Sequence, residues 1–263
     1  MNKFFIILFF FITLSQQLSH AQVFQDIGND FNEFISTGID LSSDFIKFDK
    51  STQLNLAGSA LLIGAGYSVD NNIKSFSQKN LSAFNDGLFS IDKYYGSGYT
   101  FVGIGGLYGY GLLFRNETVR KIGLQTIEAV GYSGIITSIV KSIAGRSRPY
   151  TNDGKAKFHP IDFSAAHTSL PSGHSTTAFA VSAVLANNTN SQYLKIFYYS
   201  ASTLVSCARL YHNDHWFSDV IAGSLLGYFT GNCVSNKESM QKSADNGILI
   251  NLSLTGINLS LAL

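Results

Sequence analysis

Charge is scarce in this 263-residue chain: Asp, Glu, Lys and Arg make up only 13%, with 18 Lys plus Arg against 17 Asp plus Glu. Without a basic excess there is no field of the kind nucleic-acid binding usually needs, so no nucleic acid is expected as a partner. Cysteine is almost missing. Cys207 and Cys233 are the only two, which excludes a disulfide framework and predicts a pair of buried thiols. Neither a repeat of solenoid period nor a low-complexity tract is present. Two apolar stretches, 54–69 and 99–114, each fall below the ~20 residues a bilayer span needs, so spans and buried core helices fit them equally.

What the chain has instead is glycine (24) and aromatics (13%), a balance typical of membrane or tightly packed helical proteins. Lys3 followed by the apolar run 4–14 and by small residues at Ser19 and Ala21 reads as a secretory signal peptide over 1–21, with cleavage before Gln22. An exported protein of the bacterial periplasm or cell envelope is therefore expected. Phe31, Phe34 and Ile35 give 22–49 the spacing of an amphipathic helix. From Thr118, expected to cap the start, apolar residues at three- and four-residue steps predict a long helix to Ile143. Arg120, Lys121 and Glu128 give it one wet or protein-facing side. Further helices are expected over 175–186, 194–210 and 216–233. A polar loop, 150–170, precedes them, and loops of that length are often functional. The C-terminal residues alternate (Leu252, Leu254; Leu259, Leu261, Leu263), which is strand periodicity.

Three clusters carry chemistry: Lys141 with Arg148-Pro149; Pro171-Ser172-Gly173-His174; and Arg209, His215 and Asp219. Singly, each has an ordinary reading. Lys141 could complement a helix dipole, Arg146 and Arg148 could be solvated loop charges, and Ser172 could cap a helix. A helix start is also an anion site, however, and His174 would stand on its first turn. His215 and Asp219 are four apart, so one helix face would let the carboxylate orient the imidazole as a nucleophile. A zinc reading of His212, Asp214, His215 and Asp219 leaves the cations and the Pro171–His174 turn unused. A phosphate site uses them all, with no metal: three cations, a helix-start nest, one histidine to attack and one to protonate.

In order and spacing these residues resemble the type 2 phosphatidic acid phosphatase (PAP2) superfamily, which also holds bacterial acid phosphatases and vanadium haloperoxidases. The pattern is Lys141, Arg148-Pro149, Pro171 to His174, Ala208-Arg209, His215 and Asp219; Ala208 stands where the family has Ser. The resemblance implies an all-α helical bundle, to which the periodicity of the C-terminal residues adds a short strand-like tail. It divides the chain into an N-terminal helical region (22–117), a catalytic core (118–233) and a C-terminal tail (234–263). It implies a phosphatase for phosphate monoesters or lipid (di)phosphates, with a membrane lipid phosphate among the candidate substrates and membrane association compatible with it. His215 would attack phosphorus, Asp219 fix its tautomer, and His174 protonate the leaving oxygen. Lys141, Arg148, Arg209, Ser172 and Gly173 would hold the phosphate, and no cofactor is implied. The alternatives are a vanadium-dependent haloperoxidase, set against by chain length, and a catalytically inactive envelope protein, set against by the intact titrating residues.

Overall fold

The structure is a computed structural model that describes residues 20–47, 50–245, 248–253 and 256–261. Most of the expected leader, 1–19, lies outside the described residues, as do Leu254 and Leu263 of the tail. The architecture is all helical apart from one terminal hairpin. In chain order the helices are α1 (His20–Lys47), α2 (Lys50–Lys79), α3 (Ala83–Phe89), α4 (Gly98–Leu113), α5 (Glu117–Ala144), α6 (Gly173–Asn187), α7 (Gln192–Tyr211) and α8 (Phe217–Asp245). Strands β1 (Ile248–Ser253) and β2 (Gly256–Leu261) pair antiparallel, with Ile248 opposite Leu261.

α6 is the centre. It is built from small residues, and Ala178, Ala180, Ala183 and Val184 have no exposed surface. Val181 and Val184 join Val130 of α5, Ile104 of α4 and Val234 of α8 in one apolar cluster. Against α6 lies α8, and their separation is set by a glycine: a Cβ on Gly227 would stand 2.1 Å from the Thr176 carbonyl oxygen. Only a missing side chain lets the two backbones approach so closely.

α5 begins at Asn116, whose side chain accepts a hydrogen bond from Val119 N. Thr118 is therefore not the cap. Asn116 lies one residue before the helix, where its side-chain oxygen can reach the free N–H groups of the first turn. Arg120 and Glu128 of α5 face protein: Arg120 bridges to Asp26 of α1 at 3.2 Å, and Glu128 is buried. Its other side exposes Ile135, Ile136, Ile139 and Ile143. Among the described residues, α5 is the one helix long and apolar enough to cross a membrane. α2 and α4 are not wholly buried core helices, since Leu54, Leu61, Phe101 and Val102 are exposed, although α4 turns Ile104 into the core. Cys207 and Cys233 form no disulfide and are exposed, not buried, because they lie on outward faces of α7 and α8.

Candidate active site

α5 ends in a left-handed glycine, Gly145 (φ 58°), where any Cβ would run into the His159 carbonyl at 1.7 Å. The chain can thus turn at once into Arg146-Ser147-Arg148-Pro149. This turn is woven into the loop that follows: Ser147 N donates to Lys157 O, Arg148 N to Ala166 O, and Ser169 N to Arg146 O. The long polar loop is therefore ordered, and it returns the chain to the site at Thr168 and Ser169.

Arg146 is not a solvated loop charge. It is 2% exposed and joins Asp70 of α2 at 2.8 Å to Asp219 of α8 at 2.5 Å. Ser218 Oγ and the Lys155 carbonyl accept its other N–H groups, and the guanidinium lies 5.6 Å from the Trp216 ring. A buried ion pair survives only when its remaining donors and acceptors are met, and here nearly all of them are.

His215 precedes α8 instead of lying on it, so the one-face pairing with Asp219 does not form. The Nδ1 to Asp219 Oδ2 separation is 4.0 Å, whereas the Ser169 carbonyl oxygen is 2.7 Å from Nδ1. A carbonyl only accepts, so Nδ1 carries the proton and Nε2 keeps its lone pair. Asp219 works one bond further back. It accepts from Ser169 Oγ at 2.5 Å and from Trp216 N at 2.9 Å, fixing the residues on either side of the hydrogen bond that orients the ring.

Ser172 occupies the N-cap position of α6 without capping it. Its hydroxyl accepts from Ser175 Oγ at 3.0 Å, leaving its own proton for an anion, and Ser172 N donates to the Asp219 carbonyl at 3.0 Å. Lys141, in the last turn of α5, donates to the Thr168 carbonyl. Arg209 is clamped by Asp92 at 2.5 Å and by Asp214, and Asp214 also lies 3.6 Å from Arg148. The Nε atoms of Arg148 and Arg209 are buried without a partner, so each guanidinium keeps a donor in reserve. Ala208 is fully buried, and nothing in the structure explains the change from serine. A cavity of ≈ 270 Å³ opens beside these groups, lined by Asp92, Lys93, Ser97, His174, Arg209 and His212.

Electrostatics ties the set together. Burial first, and then the charges of Lys141, Arg148 and Arg209, holds His215 well below the usual imidazole range. Burial, followed by Arg209, pulls His174 to about 4. Lys141, Arg148 and Arg209 thus act on both His174 and His215, so the two histidines and the three cations lie within electrostatic reach of one another. Asp70, Asp92 and Ser169 belong to the same assembly and had no local signal in the sequence, while Arg146 and Asp214 join it in roles other than the loop charge and zinc ligand weighed for them. The zinc grouping does not form, because Asp214 and Asp219 are committed to arginines and His215 Nδ1 to a carbonyl.

Residues 123–242, under half of the chain, match the family model of the PAP2 superfamily. The chain is 32% identical over 114 residues to a lipid A 1-phosphatase of Rhizobium etli, covering 41% of this chain and 47% of that protein. It is 28% identical over 171 residues to an undecaprenyl-diphosphatase of Sulfolobus acidocaldarius, covering 63% and 78%. The chain spans under half the length of the lipid A 1-phosphatases it matches. The fold is shared with a transmembrane PAP2 type phosphatidylglycerolphosphate phosphatase of Bacillus subtilis, at TM-score 0.57 and 21% identity, over 73% of this chain and 97% of that one.

Proposed function

We propose that the protein hydrolyses the phosphate of a lipid phosphomonoester or diphosphate through a phosphohistidine on His215, at the membrane of the bacterial cell envelope. The observation that carries this reading is the tautomer of His215: its Nδ1 proton is held by the Ser169 carbonyl at 2.7 Å, so an uncharged Nε2 remains to attack. Attack forms the N–P bond and breaks the P–O bond to the alcohol, whose oxygen takes a proton from His174. Water, deprotonated by His174, then attacks phosphorus, and the N–P bond breaks to release phosphate and neutral His215. Lys141, Arg148 and Arg209 carry the positive charge that meets the equatorial oxygens, together with the Ser172 hydroxyl and the N–H of Gly173. Asp219 is a positioning residue in this scheme. Similarity to proteins described as acting on lipid A and on undecaprenyl diphosphate supports a lipid substrate, as do the exposed apolar helix faces.

Rapid quench with 32P-labelled substrate tests the reading. Wild type forms an acid-labile phosphoprotein, and His215→Ala forms none. His174→Ala, offered an aryl phosphate whose leaving group needs little protonation, accumulates label because water has lost its base. Label on the His215→Ala protein would overturn the assignment. Vanadate-dependent bromination would instead favour the haloperoxidase alternative.

A further inference from the structure

The loop between α5 and α6 holds a second group of ligand-type side chains that the phosphate site does not use. Asp153, His159 and His167 each offer one donor atom, and these atoms lie within 4.8 Å of one another. Two features distinguish the group from ordinary loop packing. His167 Nδ1 is 2.6 Å from Asp162 Oδ2. An ionised carboxylate only accepts, so Nδ1 carries the proton and Nε2 is left with its lone pair. A carboxylate behind the far nitrogen is how metal-ligating imidazoles are usually oriented. The second feature is His159 Nε2, which is buried and has no hydrogen-bond partner. A buried ring nitrogen without a partner is costly unless something supplies one.

We propose that Asp153, His159 and His167 bind one divalent transition-metal ion, zinc being the best match, with Asp162 orienting His167 from outside. Two imidazoles and one carboxylate are donors that zinc accepts in tetrahedral geometry, with the fourth position left to water. The imidazoles stack in the metal-free arrangement, centroids 3.8 Å apart and 15° from parallel. Zinc–nitrogen bonds of ~2.0–2.1 Å in a tetrahedral site put donors about 3.3 Å apart, so the stack opens and Asp153 swings inward on binding. Asp153 is exposed and lies between two residues of positive φ, Asn152 (61°) and Gly154 (95°), at the outer edge of the loop.

The ion would act as a staple, not as a catalyst. Its ligands come from both arms of the loop that embraces the Gly145–Arg148 turn: His159 N donates to Gly145 O at 2.7 Å, and Ala166, next to His167, accepts from Arg148 N at 2.8 Å. Joining the arms holds the turn that carries Arg148, while no ligand belongs to the phosphate pocket.

The test uses the full chain, stripped with chelator in detergent and titrated with ZnCl2, and with CoCl2 for its visible spectrum. Wild type takes up one equivalent at micromolar free metal, and its thermal midpoint rises. His159→Phe keeps the stacked ring and loses the donor; Asp153→Asn changes only an exposed side chain. Each lowers affinity at least tenfold and cancels the thermal shift. Asp162→Asn weakens binding by about 10–100-fold, while His174→Ala and His215→Ala still bind. Absence of stoichiometric uptake by wild type, or uptake unchanged in both His159→Phe and Asp153→Asn, overturns the proposal. Uptake lost in His174→Ala or His215→Ala also overturns it, by placing the ion in the phosphate pocket.

Discussion

Asp219 governs His215 without touching it, and this separates two roles that the four-residue spacing had merged. Its carboxylate holds Ser169 Oγ, Trp216 N and Arg146, while the ring answers to the Ser169 carbonyl. Ser169→Ala keeps the carbonyl and removes one anchor, so kcat is expected to fall with KM little changed, which steady-state kinetics will read. Arg146→Met leaves Asp70 and Asp219 buried without their cation, and should cost about 3–5 kcal/mol in chemical denaturation. The acid limb of the pH profile follows from the depressed His215. A lowered pKa keeps Nε2 unprotonated below the ordinary imidazole range, so the loss of kcat/KM in acid begins below pH ~6.5. Arg148→Gln removes a cation beside the ring, which eases protonation and should move that limb to higher pH in the residual activity. With His174 near about 4, it becomes charged by taking a proton from the ester monoanion as the substrate binds, and then passes that proton to the leaving oxygen. Activity should therefore decline as the phosphate loses its second proton above pH ~6. The titrating residues were legible in the sequence because the spacing marks them. Arg146 was not, since its partners Asp70 and Asp219 lie far away along the chain and a Gly-Arg-Ser-Arg-Pro run looks solvated.

At the scale of elements, the contact that matters is α8 against α6. Gly223, Gly227 and Gly231 recur at four-residue steps on α8, and an added Cβ at each would strike α6 backbone or the residue before it at 2.4, 2.1 and 2.7 Å. The start of α8 carries Asp219, whose carbonyl accepts from Ser172 N. The helix spacing therefore sets how the His215 end meets the Ser172–His174 end. Gly227→Val should force the helices apart, destabilise the protein by several kcal/mol as overpacking does, and remove most activity. Gly105→Ala on α4, where no atom lies within 4 Å of the added Cβ, should leave activity intact and stability within about 1 kcal/mol. Thermal melts with parallel activity assays compare the two. The helices themselves were readable from their apolar spacing, whereas the glycine period that sets their contact was not among the expectations. Helix boundaries were less readable. α8 runs to Asp245, past the expected end at Cys233, because nothing after Cys233 breaks the helix and the signal there was fading apolarity alone.

For the whole molecule, exposed apolar surface decides the environment. Large side chains point outward on α2 (Leu54, Leu61), α4 (Phe101, Val102), α5 (Ile135, Ile139, Ile143) and α7 (Ile196, Phe197). A water-soluble monomer rarely leaves so many of them uncovered. The sequence hid this because each apolar stretch is short and a mean hydropathy of +0.13 is compatible with either environment. α5 separates the two cases. Its inner side holds Glu128 and Arg120 against protein, and its outer side is a column of isoleucines. Were that column in water, Ile139→Arg would cost little and would improve solubility. If it faces lipid at mid-depth, an arginine there costs about 2.5–3.5 kcal/mol of insertion free energy, and the protein should be lost from the membrane fraction or degraded. Carbonate extraction of cells producing wild type and Ile139→Arg at matched synthesis rates reads the difference. Wild type should stay with the membrane pellet and require detergent. An Ile139→Arg protein that accumulates normally in the soluble fraction, still active on an aryl phosphate, would show that this face meets water.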